Sequence, residues 1–396
     1  MIFLRFLLDA ASISVLLPGF VLFTEIILAV RRRPGANPVR GERHPIAVLM
    51  PAHDESAMIA FALRSIRPQL SAADRLLVVA DNCSDDTAAI AAAEGAEVIE
   101  RCDTVHRGKG YALDFGVRHL ELNPPDIVMI VDADCEVSPG SVDLLTRLCS
   151  KSERPVQAAY LMHAGQDAGL KMRMAEFAWV VKNRVRPEGL RRLGLPCQLM
   201  GTGMAFPWQR IKAATLATGH IVEDLKLGLD LARAGAPPLY CPEAVVSSAF
   251  PTSIQGVQTQ RTRWEHGHLS VILSEAPHLL LDSLKSGNTD LLAMTLDLCV
   301  PPLALLVLVV GCVWTVGVID YCLTRAVIPL AVSSVAAVLI AGSILLSWNA
   351  YGRQTVSFGD LFLGFLYPLQ KISLYLKFLV SRQMDWVRSK RDGDED

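Results

Sequence analysis

Two carboxylates that follow an apolar run are the most informative candidates for a functional site in this chain. Asp132 and Asp134 come directly after residues 126–131, a run bounded by turn-forming residues, which predicts a buried strand. Alternate side chains of a strand share a face, so we expect both carboxylates to point the same way. Adjacent carboxylates repel each other unless a cation lies between them. The pair therefore predicts a site for a hard divalent ion that also binds diphosphate oxygens, with a solvated strand end as the alternative.

A second acidic pair opens a predicted helix over residues 221–231. Glu223 and Asp224 fall in its first turn. Carboxylates there complement the helix dipole, which is one interpretation of the pair.

A polar trio follows on a third predicted element. Gln260, Arg263 and Trp264 are spaced i, i+3 and i+4, so on a helix they share one face. A guanidinium can chelate diphosphate oxygens, and an indole offers an apolar platform for a sugar ring. A Trp–Arg pair at a membrane interface is the alternative.

The elements that must position these residues alternate between strands and helices over residues 45–275. The predicted strands are 46–50, 76–80, 96–99 and the run that ends at Asp132. The predicted helices are 57–70, a helix that Ser84 caps and that continues through 88–93, and 111–122. This alternation predicts an α/β fold with ligands at the carboxyl ends of parallel strands. Asp81 follows the second strand without a capping role, so we expect it to touch a ligand. Lys109 precedes a helix, and a solvated lysine is the alternative to a ligand contact.

In order and spacing, these pieces resemble the large inverting family of nucleotide-sugar glycosyltransferases that includes cellulose, hyaluronan and chitin synthases. The resemblance covers about residues 45–270. Its pattern is Asp81, Asp132-x-Asp134, Glu223-Asp224 and Gln260-x-x-Arg263-Trp264, with the flanking phrases Pro51-Ala52-His53-Asp54-Glu55, Lys109-Gly110-x-Ala112-Leu113 and Gly201-Thr202-Gly203.

The resemblance implies a GT-A fold, an α/β Rossmann-like mixed sheet, and a role for each matched residue. The donor nucleotide would be bound by Pro51, Ala52, Glu55, Asp81, Lys109, Asp132 and Arg263. The acceptor would be bound by Gly201, Thr202, Glu223, Gln260 and Trp264. Asp132 and Asp134 would hold Mg²⁺ or Mn²⁺, which neutralises the charge on the leaving diphosphate. Asp224 would remove the proton of the acceptor hydroxyl.

The chain departs from the family pattern in two ways. The paired acids of the family's second strand are represented here by Ala80-Asp81, with one carboxylate. The long synthases also carry more transmembrane helices, and three crossings cannot enclose a polysaccharide pore. We therefore expect transfer of a hexose or N-acetylhexosamine from a UDP-linked donor to a lipid-linked saccharide or a lipid, in polysaccharide or glycolipid biosynthesis. The alternatives are a processive synthase acting as an oligomer or with a partner, and a silent sugar-nucleotide-binding subunit that would be expected to lack Asp224 or Arg263-Trp264.

Composition predicts a membrane protein with a soluble domain. Of the 396 residues, 51% are hydrophobic and 20% are charged. Residues 12–30, 298–319 and 326–350 are long and apolar enough to span a bilayer, and Arg31 to Arg33 place the following domain in the cytosol. The predicted segments are an anchor over 1–33, a cytosolic GT-A domain over 45–275, a transmembrane hairpin over 290–350, and an amphipathic interfacial helix with a charged tail over 358–396.

Location and partners follow from the same patterns. We expect an integral membrane protein, in the inner membrane if it is bacterial, with a homo-oligomer or a partner membrane protein as possible assemblies. The net charge of −2 says nothing about nucleic acid, and no basic–aromatic stripe argues for it, so we expect no nucleic-acid partner. Nine cysteines without CxxC pairs indicate reduced thiols and no metal.

Overall fold

The computed structural model describes residues 2–31, 42–219, 221–251 and 253–380. The predictions for Arg32, Arg33 and the tail 381–396 lie outside these residues. The chain divides into two compact units. We call the described residues of 42–163 and 195–267 the sheet unit, and those of 2–31, 164–194 and 268–380 the helical unit.

Among the described residues there are eight strands, all in one sheet. They are β1 (Ile46–Ala52), β2 (Arg75–Asp81), β3 (Glu97–Arg101), β4 (Ile127–Ile130), β5 (Glu136–Val137), β6 (Val156–His163), β7 (Met204–Pro207) and β8 (Leu239–Ala249).

The same residues form fifteen α-helices. They are α1 (Ile2–Val30), α2 (Ile59–Ile66), α3 (Thr87–Ala93), α4 (Lys109–Leu120), α5 (Ser141–Ser152), α6 (Leu170–Val180), α7 (Arg186–Arg192), α8 (Trp208–Lys212), α9 (Glu223–Arg233), α10 (Ile254–Ser286), α11 (Thr289–Leu298), α12 (Leu303–Thr324), α13 (Ile328–Ser347), α14 (Phe358–Leu363) and α15 (Ile372–Val380). Residues 67–69 and 364–371 are 3₁₀-helical, and 181–185 and 348–352 are π-helical.

The sheet is mixed, with strand order β3-β2-β1-β4-β7-β6-β8-β5. The first four strands are parallel, and β7 runs antiparallel to both β4 and β6. Strands β1, β2 and β4 are buried along nearly their whole length, as their continuous apolar runs require. Their carboxyl ends meet at one edge, so the predicted α/β mixed sheet is confirmed and its polar strand ends converge.

One detail of the predicted strand geometry is wrong. Strand β4 ends at Ile130, and residues 131–135 form a turn before the short β5. Asp132 and Asp134 therefore do not lie on one face of a strand. Their proximity comes from the turn instead.

Three helices in the described residues are long and apolar enough to cross a membrane. They are Arg5–Val30, Leu303–Thr324 and Ile328–Gly352, with mean hydropathies of 2.3, 2.4 and 2.2. The turn expected at residues 320–325 is shorter than predicted, because α12 continues to Thr324 and Arg325 ends it in the left-handed conformation with φ of 62°. A GT-A-like sheet with helices of membrane-spanning length matches the predicted fold class.

The only charge in residues 12–30 has a buried partner in the helical unit. Glu25 Oε2 accepts a 2.8 Å hydrogen bond from Arg186 Nε, and Arg186 Nη2 lies 2.5 Å from Asp297 Oδ1. All three side chains are less than a tenth exposed. Gly189 allows the close helix packing that brings them together, since a Cβ there would lie 1.9 Å from the Glu25 carbonyl oxygen. A buried charge triad thus joins α1, α7 and α11.

Candidate active site

The carboxyl ends of β1 and β2 bring together the residues assigned to the donor nucleotide. Ala52 pairs with Ala80 in the parallel register, so Pro51 and Asp81 end neighbouring strands. The Asp81 carboxylate is buried and forms a 2.7 Å ion pair with Arg101 Nη1. Burial raises the pKa of Asp81, and the Arg101 charge opposes that rise. Arg101 was missed from the sequence, although it lies opposite Asp81 in the register of β2 and β3.

Hydrogen bonds hold the loops after these two strands to each other. The Glu55 amide donates to Thr87 Oγ1 at 2.7 Å, and the Ser84 amide donates to Asp54 Oδ1 at 2.6 Å. Asp85 accepts the Ser56 amide at 3.0 Å. Although burial raises the pKa of Asp85, hydrogen bonds from Thr87 and Ser56 outweigh it and lower that pKa to about 2. Hydrogen bonds therefore fix the two loops relative to each other at this end of the sheet.

The turn after β4, residues 131–135, carries the carboxylates predicted to hold metal, and we call it the metal loop. Carboxylate oxygens of Asp132 and Asp134 and the sulfur of Cys135 lie within 4.8 Å of one another. Burial raises the pKa of the Cys135 thiol well above its ordinary value, and the thiol donates to Asp134 Oδ1 at 3.3 Å. A protonated thiol is a poor ligand, which leaves two carboxylates as the donors, a set that fits Mg²⁺ or Mn²⁺.

Two of the acceptor residues assigned by resemblance, Gly201 and Thr202, lie in a turn beside the metal loop. We call residues 201–203 the glycine turn. Gly201 and Gly203 have φ of 93° and 65°, which only glycine adopts without strain. Between them, Thr202 is fully buried, and its hydroxyl accepts the Asp132 amide at 3.0 Å. Its side chain therefore fixes the metal loop from within.

Lys109 links the metal loop to the glycine turn. Its ammonium forms an ion pair with Asp132 Oδ1 and donates to the Gly201 carbonyl at 2.7 Å. Burial lowers the pKa of Lys109, but the charges of Asp132, Glu223 and Asp224 outweigh it and raise that pKa overall. Lys109 thus stays charged and is not a solvated lysine, and its contact with the nucleotide stays a prediction.

Glu223 and Asp224 lie in the first turn of α9, as predicted. A Cβ at Gly201 would lie 3.4 Å from Asp224 Oδ2 and 3.8 Å from Lys109 Nζ, so these groups surround one point. Burial and the Asp224 charge raise the pKa of Glu223 to about 7. Glu223 and Asp224 therefore form a pair of neighbouring carboxylates, and the charge of one disfavours ionisation of the other.

The polar trio lies on α10. Gln260 is buried, whereas Arg263 and Trp264 are partly exposed. One turn further along, Gly267 packs against Val222, which precedes the acidic pair. This contact, which the sequence did not reveal, relates α10 to the start of α9.

Apart from the trio on α10, the residues predicted from the sequence fall into two groups joined by the sheet edge. One group surrounds the ends of β1 and β2, and the other surrounds the metal loop, the glycine turn and the start of α9. The arrangement offers polar side chains at the strand ends, two carboxylates that could hold a divalent cation and a second carboxylate pair at the start of α9.

The family model of Glycosyltransferase like family 2 matches residues 44–267, so the chain belongs to this family and is a glycosyltransferase. No curated protein matches the chain. The family is as the sequence predicted, while the membrane-bound synthase subgroup and the full motif pattern stay predictions.

Two solved structures are similar to this chain. The mannosyltransferase PcManGT from Pyrobaculum calidifontis, in complex with GDP-Man and Mn²⁺, is 16% identical with a TM-score of 0.50, and the match covers 86% of this chain and 99% of that one. Glucosyl-3-phosphoglycerate synthase from Mycobacterium tuberculosis is 24% identical with a TM-score of 0.41, over 60% of this chain and 84% of that one. The likeness to the first supports the GT-A fold.

Proposed function

We propose that this family 2 glycosyltransferase transfers a hexose or N-acetylhexosamine, with inversion, from a UDP-sugar to a lipid-linked saccharide or lipid acceptor. The observation that carries the proposal is the convergence of Asp132, Lys109 and Asp224 around the glycine turn. That arrangement sets a leaving-group site beside a proton acceptor.

The donor half of the site would bind nucleotide and diphosphate. Pro51, Ala52, Glu55 and Asp81 would surround the base and ribose at the ends of β1 and β2. Mg²⁺ or Mn²⁺, held by Asp132 and Asp134, would supply positive charge to the diphosphate. Lys109 already balances Asp132 and brings a further fixed cation to that site.

The acceptor half would deprotonate the attacking hydroxyl. Asp224 would take the proton, and Glu223, whose pKa is raised to about 7 by burial and by the Asp224 charge, would lie beside it. Arg263 would bind diphosphate oxygens, and Trp264 would support the acceptor sugar or lipid head. Gln260 would complete this face of α10.

The three apolar helices support a membrane-held acceptor. We propose that the N-terminus faces outside, that residues 31–290 and the C-terminus are cytosolic, and that the connection between α12 and α13 faces outside. The catalytic carboxylates would then face the cytosol. Reporter fusions at Asp320 and at Asp396 test this, and an external reading at the C-terminus would contradict it.

Radiolabelled UDP- and GDP-sugars, each incubated with membranes containing the full chain, test the reaction. We expect one UDP-sugar to label an organic-extractable product of a single added residue, with loss of labelling in EDTA and recovery with Mg²⁺ or Mn²⁺. A ladder of long products would favour the processive synthase. No labelling from any donor, with retained nucleotide binding, would favour the silent subunit.

A further inference from the structure

A cluster of arginines lies where two spans of the helical unit end. Arg192 Nη1 donates to the Leu28 carbonyl at 2.9 Å, close to the end of the first span. Tyr351, in the last turn of another span, donates to the Ala29 carbonyl at 3.4 Å. The guanidinium carbon of Arg184 lies 5.7 Å from the centre of the Tyr351 ring. These side chains therefore lie at the same height along the two spans as the ends of those spans.

Two π-helical segments carry the central part of this cluster. Arg184 belongs to the segment 181–185, and Tyr351 belongs to the segment 348–352. Arg353 follows the second segment, with its guanidinium carbon 5.5 Å from the centre of the Trp348 ring. π-helical turns are rare in proteins, and those that occur are often found at functional sites. A guanidinium stacked on a ring keeps its in-plane N–H donors available to an acceptor.

The cluster has a surplus of positive charge. Arg191 and Arg192 share one carboxylate, that of Glu188, with Nε–Oε distances of 2.8 Å each. Arg184 and Arg353 are exposed and have no carboxylate partner within the described residues. The exposed guanidinium groups of Arg184 and Arg353 thus add positive charge where a bilayer would place its headgroups.

We propose that this arginine cluster binds the phosphate of a membrane lipid, with Arg184 and Arg353 as its direct ligands. Planar guanidinium groups match phosphate oxygens in a bidentate way, and basic residues beside a span attract anionic lipids. Trp348 and Tyr351 supply the aromatic side chains typical of the interface. The lipid phosphate has two possible sources, an anionic phospholipid and a lipid-linked acceptor. The site uses none of the catalytic carboxylates, so its test is independent of the transfer reaction.

Native mass spectrometry of the detergent-purified full chain measures this binding directly. The probes are phosphatidylglycerol, phosphatidylcholine, a polyprenyl diphosphate and inorganic diphosphate. We expect Arg184→Gln and Arg353→Gln each to weaken binding of an anionic lipid about fivefold, and the double variant to weaken it about 25-fold. Arg325→Gln is the matched control, because Arg325 is also exposed and lies 5.7 Å from the Tyr321 ring centre, between α12 and α13.

The lipid probes identify the source of the phosphate. Weaker binding of phosphatidylglycerol in the arginine variants indicates bulk phospholipid, and weaker binding of the polyprenyl diphosphate alone indicates the acceptor. Unchanged binding of both lipids in correctly folded single variants would overturn the proposal. So would an equal loss in Arg325→Gln, or a loss confined to inorganic diphosphate.

Discussion

The contact between Gly267 and Val222 predicts that a single added methyl group will impair catalysis. A Cβ at Gly267 would lie 2.7 Å from Cγ1 and 3.3 Å from Cγ2 of Val222, and the first distance is too short for carbon atoms. Valine is stiff at χ1, so relief must come from the backbone just before Glu223 and Asp224. Over-packing of this kind costs about 1–3 kcal/mol. If that energy displaces Asp224 from the acceptor, Gly267→Ala lowers turnover by about 5- to 150-fold.

The assay is the initial rate of sugar transfer in membranes with matched amounts of folded protein. Adding Val222→Ala removes both γ carbons, so the double variant should recover to within about threefold of the rate of Val222→Ala alone. Gly311→Ala is the control, because a Cβ there meets nothing within 4 Å. A wild-type rate in Gly267→Ala, or a double variant no better than it, would refute the reasoning.

Three further predictions concern the buried charges and α10. Arg186→Met leaves two buried carboxylates unpaired and should lower the free energy of unfolding by about 3–5 kcal/mol. Arg191→Met removes a more exposed ion pair and should lower it by at most about 1 kcal/mol. Equal losses in the two variants would contradict this prediction. Burial and the charges of nearby basic residues lower the pKa of His268 to about 3. Below pH ~6.5 the unfolded state therefore binds a proton that the folded state does not. As the pH falls from ~6.5 to ~3, the free energy of unfolding should decrease by up to about 1.4 kcal/mol per pH unit. Thermal unfolding of His268→Gln should lack that slope, and an unchanged slope would exclude His268 as its cause. Trp264→Ala should raise the KM for acceptor more than for donor, and Arg263→Lys the reverse; swapped effects would exchange the two roles.

The strands of the sheet were predictable because burial on both faces leaves a continuous apolar run. Strands β1, β2 and β4 all show this pattern. The end of β4 was not predictable from the same pattern. The Asp132 amide turns to Thr202, seventy residues further along the chain, and no local signal encodes that hydrogen bond.

The charged residues of the site were predictable by type and order but not by partner. The sequence suggested ligand roles for Asp81 and Lys109 but did not reveal their ion-pair partners, Arg101 and Asp132. Each pairing depends on how strands and loops meet in three dimensions. Glu25 shows the same limit, because a charge in an apolar helix does not reveal which distant arginine will neutralise it.

The most direct test of the account compares two Asp→Asn variants on α9. Asp224→Asn keeps the shape of the side chain and removes its basicity, so we expect turnover to fall by about 10²–10⁴ while nucleotide affinity stays within a few-fold. Asp230→Asn, at a side chain that pairs with Lys226 at 3.2 Å and is 43% exposed, should leave both quantities near wild type. Near-wild-type turnover in Asp224→Asn, or a loss of nucleotide binding that matches the loss of turnover, would contradict the assignment of Asp224 as the base.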